Sequence, residues 1–140
     1  MGFLLLLFIP LFSFLQVADN SMEPLLFEGD VISVVRTNRI KKGDLVIFSD
    51  PRGQLAVKSC YLCEGELIEM KGNYLLAEGK TWFLQPDQKE YFMNYPTVPE
   101  GQFLLLGENS FHSLDSREWG FIAKDVILGK VLGKKGNFIE

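Results

Sequence analysis

Gly107-Glu108-Asn109-Ser110-Phe111-His112-Ser113-Leu114-Asp115-Ser116-Arg117-Glu118-Trp119-Gly120 carries more information than any other stretch of this chain. Most side chains between its two glycines can donate or accept a hydrogen bond. It lies between Phe103-Leu104-Leu105-Leu106 and Val126-Ile127-Leu128, two apolar runs that read as strands. Two readings of the loop are open. One is a polar surface loop closed by an Asp115–Arg117 ion pair. The other is a buttress whose hydrogen bonds fix a catalytic residue supplied from elsewhere in the chain.

Outward from this loop, short strands dominate. Val31–Val35, Asp44–Phe48, Leu55–Lys58, Leu67–Met70 and Tyr74–Ala77 are further β-branched or aliphatic runs. Turn signals separate them, among them Glu28-Gly29-Asp30, Lys42-Gly43-Asp44, Pro51-Arg52-Gly53, Lys71-Gly72-Asn73 and Pro99-Glu100-Gly101. Seven short strands at this spacing predict a mostly β fold of coiled antiparallel sheets or a partial barrel. No stretch after residue 20 shows clean helical periodicity. Residues 78–98 place Trp82, Phe83, Tyr91, Phe92 and Tyr95 among prolines and read as a small hairpin or an exposed aromatic flap.

The chain has 140 residues and a formal net charge of -4, which suits one domain. A pI of 5.1 and only two tight basic pairs, Lys41-Lys42 and Lys134-Lys135, argue against nucleic acid as a partner. Cys60 and Cys63 are the only cysteines and His112 the only histidine, too few for a tetrahedral zinc site, and no metal or organic cofactor is expected. The two thiols read as ordinary strand residues, with a redox dithiol as the other option.

Residues 3–18 contain 13 apolar residues of 16 and no charge; Asp19 is the first charged residue. Sixteen helical residues span about 24 Å, short of the roughly 30 Å of a bilayer core. No basic n-region marks a cleavable signal, and no polar face marks a surface helix. Pro10 would kink a helix, and the pattern after it suits an extended strand as readily. The expectation is a short membrane anchor over residues 1–18 that merges into the first strand, followed by a single domain over 19–140.

Three residues could carry chemistry. Ser21, in Asn20-Ser21-Met22-Glu23-Pro24, is either a turn residue or a nucleophile. Its base could be His112, in a triad, or a lysine made neutral by burial. Lys58 fits the second option, since it is the only charged residue between Arg52 and Glu64; the alternative is an exposed lysine on a strand's solvent face.

These pieces together resemble the type I signal peptidases, membrane-bound serine proteases with a Ser/Lys dyad. Ser21-Met22-Glu23-Pro24 resembles the family's nucleophile motif. Lys42-Gly43-Asp44-Leu45-Val46-Ile47-Phe48 resembles its next strand. Val57-Lys58 through Gly65-Glu66 resembles the lysine motif, and Val98-Pro99-Glu100-Gly101 through Gly120-Phe121 resembles the last motif, "G-D-N…S-x-D-S-R-x-W-G". The resemblance runs from about residue 12 to 132. It implies Ser21 as nucleophile, Lys58 as general base and the Ser21 backbone N–H as an oxyanion donor. It implies Ser113 as the residue that orients the Lys58 amine, Asp115 and Arg117 as a supporting ion pair, Gly107 and Asn109 as residues that shape the loop, and Met22 and Pro24 as substrate contacts. The implied substrates are signal peptides of exported preproteins, bound as an extended strand and cut after small residues in an Ala-x-Ala pattern. The other implied partner is the lipid bilayer, with the catalytic domain on the extracytoplasmic face of a bacterial cytoplasmic membrane.

The chain departs from the pattern in three places. Glu108 replaces the usual Asp, Ser59 follows the lysine where Arg is usual, and Asp19 stands where some members carry a hydroxyl as second oxyanion donor. An ionised carboxylate cannot donate, so the second donor is unassigned. Two rival functions share the residues: a specialised processing peptidase of the conjugation, pilin or organelle inner-membrane type, and an inactive membrane-tethered β module.

Overall fold

A computed structural model describes residues 9–135 and 137–138 of the chain. The first eight residues of the expected anchor lie outside the described residues. The anchor's second half is strand: Phe12–Gln16 forms β1, and its outward residues Phe12 and Phe14 are exposed. No helix among the described residues is long and apolar enough to cross a membrane.

The other strands are β2 (Val31–Arg36), β3 (Leu45–Ser49), β4 (Leu55–Leu62), β5 (Glu69–Lys71), β6 (Tyr74–Ala77), β7 (Lys80–Phe83), β8 (Gln102–Leu106), β9 (Ile122–Ala123), β10 (Ile127–Lys134) and β11 (Asn137–Phe138). Two short helices interrupt them, α1 (Pro86–Met93) and α2 (Ser116–Trp119). The main sheet runs β1-β2-β10-β3-β4-β8-β9, with β11 on β10, and every pair is antiparallel. Bulges at Val131/Gly133, Ile127/Gly129 and Cys60/Leu62 break the register. Each raises the local twist and coils the sheet. The protein is thus mostly β and antiparallel, as the strand spacing predicts.

The period of two explains how one sheet serves two cores. In β3, Leu45 and Ile47 point to a cluster with Met22, Leu26, Ile32 and Val34. Val46 and Phe48 point the other way, to Cys60, Phe103, Leu105 and Ile122. All five residues of β3 are therefore buried. In β8 the same alternation sends Leu104 and Leu106 to a third cluster around Tyr61, Leu75, Trp82, Phe92 and Phe121, which joins the small sheet β5-β6-β7 to the main one.

Residues 78–98 correct the flap expectation. Trp82 and Phe92 are fully buried, and Tyr91 and Tyr95 pack against the same cluster. The segment is a strand followed by a helix. A two-residue turn at Glu78-Gly79, both at positive φ, joins β6 to β7. Pro86 opens α1, and the Gln88 side chain accepts from the Gln85 backbone N–H at 2.9 Å. The helix shows no apolar periodicity because one of its two buried positions is polar: Gln88 donates to Glu118 at 2.8 Å.

Candidate active site

Ser21 and Lys58 line one cavity of about 700 Å³. Ser21 follows β1 in a short turn whose Leu25 and Leu26 N–H groups donate to the Met22 carbonyl. Lys58 lies in β4 opposite Val46. Both side chains are buried, and Lys58 Nζ donates to Ser21 Oγ at 2.7 Å. Burial lowers the Lys58 pKa from its ordinary 10.5, with the nearby positive charge of Arg52 acting in the same direction. The carboxylates of Asp19, Asp115 and Asp50 oppose that fall without cancelling it. Of the two candidate bases, Lys58 is the one against the hydroxyl; His112 is exposed where it lines the cavity.

Two free strand edges flank the cavity. Among the described residues, β1 is the terminal strand of the sheet and pairs only with β2. β8 pairs with β4 only at Ser59, Cys60 and Leu62, which leaves residues 55–58 without a strand on that side among the described residues. Residues 15–18 and 54–58 line the cavity. An extended peptide entering it meets backbone donors and acceptors from both edges.

The loop quoted at the outset is a buttress built around one carboxylate. Asp115 is wholly buried and accepts from the Gly107 N–H at 2.9 Å, the Ser113 hydroxyl at 2.9 Å, the Arg117 N–H at 3.0 Å, and Arg117 Nε and Nη2 at 2.9 and 3.0 Å. Arg117 Nη1 also donates to the Ser110 carbonyl at 2.8 Å. Asn109 ties this assembly to the serine: its N–H donates to the Ser21 carbonyl at 2.9 Å and its Nδ2 to the Asn20 carbonyl at 3.0 Å. Gly107 is a glycine because a Cβ there would overlap Ser113 Oγ and Cβ and approach the Ser21 carbonyl at 2.9 Å. Gly107→Ala is expected to displace Ser21 and lower peptide cleavage about 100-fold, with KM less affected than kcat in a steady-state assay.

The Ser113 hydroxyl donates to Asp115, which leaves its oxygen able to accept from an amine. Two expected roles differ in the structure. Met22 is fully buried in the core, where an apolar side chain is most stable, and does not line the cavity. Pro24 lines a different cavity, together with Ser59 and Glu108. The extra methylene of Glu108 lets it reach Tyr61 Oη at 2.6 Å and Lys80 Nζ at 2.8 Å. Burial pushes the Glu108 carboxyl up, but donors from Lys80, Tyr61 and Ser59 outweigh it and hold it below its usual value. Cys60 and Cys63 are free thiols with their sulfurs 3.8 Å apart, and burial pushes both pKa values up, the reverse of a reactive thiolate.

Sequence reading missed one residue at the cavity. Arg52 is held by Asp50 Oδ2 at 2.7 Å and stacks 5.6 Å from the Trp119 ring centre. The signal for it was the Asp50-Pro51-Arg52-Gly53 turn, in which Asp50 Oδ1 accepts the Arg52 and Gln54 N–H groups. Asp19 lines the cavity too. Its Oδ1 accepts both the Ser21 N–H at 3.0 Å and the Ser21 hydroxyl at 2.8 Å.

A family model described as "Signal peptidase, peptidase S26" matches residues 1–133. The chain belongs to this signal peptidase family. It is accordingly a serine endopeptidase of the signal peptidase type. Among curated relatives, a probable signal peptidase I-1 from Synechocystis sp. is 28% identical over 136 residues, 83% of this chain and 67% of its own. Signal peptidase IB of Staphylococcus aureus is 28% identical over 145 residues, covering 82% of this chain and 73% of its own. A solved signal peptidase I from Enterococcus faecalis V583 aligns at a TM-score of 0.46 and 22% identity, over 73% of this chain and 97% of that one.

Proposed function

We propose that this signal peptidase removes N-terminal signal peptides from exported preproteins through a Ser21–Lys58 dyad. The observation that carries the reading is the 2.7 Å contact between a buried lysine and the Ser21 hydroxyl in a cavity open to an extended peptide. Neutral Lys58 Nζ takes the Ser21 proton as Oγ bonds to the scissile carbonyl carbon, and the amine leaves with a proton. The Ser21 N–H is the donor assigned to the oxyanion, and the second donor stays unassigned. The same lysine then activates the water that releases the acyl-enzyme. Asp115 and Arg117 hold the loop, and Gly107 and Asn109 fix the serine's backbone.

The apolar cavity wall, with Ile32, Ile47 and Val57, suits small uncharged side chains. Leu11, Phe12 and Phe14 are exposed and continue the apolar N-terminal segment, which favours membrane attachment near the active site. The proposed organisation is residues 1–18 as an anchor merging into β1 and residues 19–140 as one catalytic domain, on the extracytoplasmic face of a bacterial cytoplasmic membrane.

A detergent-solubilised preprotein with alanine at the first and third positions before its cleavage site tests this. The expected result is a single cut after the first of these, read by N-terminal sequencing of the product. Replacing that alanine with a bulky residue should stop the cut. Cleavage elsewhere, or indifference to the replacement, would overturn the proposed specificity.

A further inference from the structure

The Ser21–Lys58 reading needs two things from Ser21, and Asp19 holds both. Acylation requires the hydroxyl proton to pass to Lys58 Nζ while Oγ bonds to the carbonyl carbon. It also requires a free Ser21 N–H, because the carbonyl's π pair moves onto its oxygen and the resulting oxyanion needs a donor. In the structure the hydroxyl donates to Asp19 Oδ1 at 2.8 Å, away from Lys58, while Lys58 Nζ donates to Oγ at 2.7 Å. The Ser21 N–H donates to the same Oδ1 at 3.0 Å. A negatively charged oxygen thus already sits against the donor meant for the oxyanion.

We infer that Asp19 is a built-in brake: its carboxylate occupies the oxyanion position, and a bound substrate must turn it aside before Ser21 can be acylated. The inference rests on the Ser21–Lys58 reading. Asp19 is otherwise exposed on the segment that leads from β1 into the nucleophile turn, so it has room to rotate. The charged and titratable groups around the pair are Arg52 and Asp50 from the β3–β4 turn, and Asp115, Glu118 and His112 from the last loop. Burial pushes the Asp19 carboxyl up, but the Ser21 N–H and hydroxyl, then Lys58 and Arg52, outweigh it and hold it below its ordinary 3.8. The brake therefore stays charged at neutral pH and is released by substrate, not by protonation. The same carboxylate is the foremost of the charges that favour protonated Lys58, so it opposes the base as well as the oxyanion.

The test compares wild type with Asp19→Ser and Asp19→Gly in preprotein cleavage and in binding of a peptide aldehyde. The aldehyde's adduct with a serine hydroxyl places an oxyanion on the Ser21 N–H. Both variants should raise kcat by about 10-fold or more, as expected for freeing a donor from a charged acceptor. Aldehyde affinity should rise by a similar factor, and the acidic limb of the kcat/KM profile should move to lower pH. A residue that only stabilised the turn would move neither the aldehyde affinity nor that limb in this direction. If both variants cleave no faster and bind the aldehyde no tighter while Ser21→Ala is inactive, the brake is refuted and the dyad stands. If Ser21→Ala still cleaves at the wild-type rate, the dyad itself fails and the brake with it.

Discussion

Exchanging Lys58 for arginine or methionine should stop preprotein cleavage as completely as Ser21→Ala, each by roughly 10⁴- to 10⁶-fold in kcat. Arginine keeps the charge and nearly the length, but it holds its proton at any pH a protein tolerates. It can donate to Ser21 Oγ, as Lys58 Nζ does in the structure, yet it cannot accept. Methionine fills the space and has no base. Losses in the two variants should therefore be alike, and combining either with Ser21→Ala should cost nothing more, because one unit is already broken. Measurable cleavage by the arginine variant would show that a cation at this position suffices.

The pH dependence follows from the same burial. The Lys58 pKa lies below 10.5 in the folded protein, so kcat/KM should climb with pH and reach its plateau earlier than an ordinary lysine would allow. Stability moves the same way. Above 10.5 the amine is neutral in both the folded and the unfolded chain. As pH falls below that value, the unfolded chain takes up the proton first, and this destabilises the fold until the folded lysine is protonated too. The Lys58→Met variant should consequently melt higher than wild type near neutral pH, and the gap should narrow as pH rises toward 10.5. A variant that is inactive and more stable separates loss of the base from loss of the fold.

How much of this was legible in the sequence depends on whether the cause was local. The alternation of Val31–Val35 and the aliphatic runs at 45–48, 74–77 and 103–106 gave their strands directly, because period two and turn residues are local signals. β7 and α1 were not legible. The turn before β7 is Glu-Gly rather than Asn-Gly, and α1 buries a glutamine whose partner Glu118 lies 30 residues away. The nucleophile turn and the lysine strand could be read as motifs. Nothing in residue order showed that the Ser113 hydroxyl donates to Asp115. Met22 looked like a substrate contact because it adjoins Ser21, but the turn rotates it inward by the helix-like step that brings Leu26 beside it in the same core. Asp19 was visible as a departure from the family pattern, yet its double contact with Ser21 is a property of the turn's shape.

Asp115→Ala is expected to be the most damaging single change to the fold, at about 3–5 kcal/mol. The carboxylate is fully buried and accepts five hydrogen bonds, two from backbone N–H groups, one from Ser113 and two from the Arg117 guanidinium. Alanine leaves those donors without an acceptor and strands a guanidinium whose side chain is only 9% exposed. The penalty is larger than the worth of the ion pair, because most of it is the uncompensated charge. Asp115→Asn should fall between, since the amide keeps one acceptor oxygen and turns an N–H toward a donor. The double variant Asp115→Leu, Arg117→Met should recover part of the loss, as apolar replacement of a buried pair often does. Thermal melts decide this: the single alanine variant should melt roughly 10 °C or more below wild type, and the double variant should lie above the single. Cleavage should not recover with stability. The Gly107 N–H and the Ser113 hydroxyl still lose their acceptor, and through Asn109 and Gly107 that loop sets where the Ser21 backbone sits. Strictly additive costs in the double variant would mean that Asp115 and Arg117 act separately, and that the buttress is not one unit.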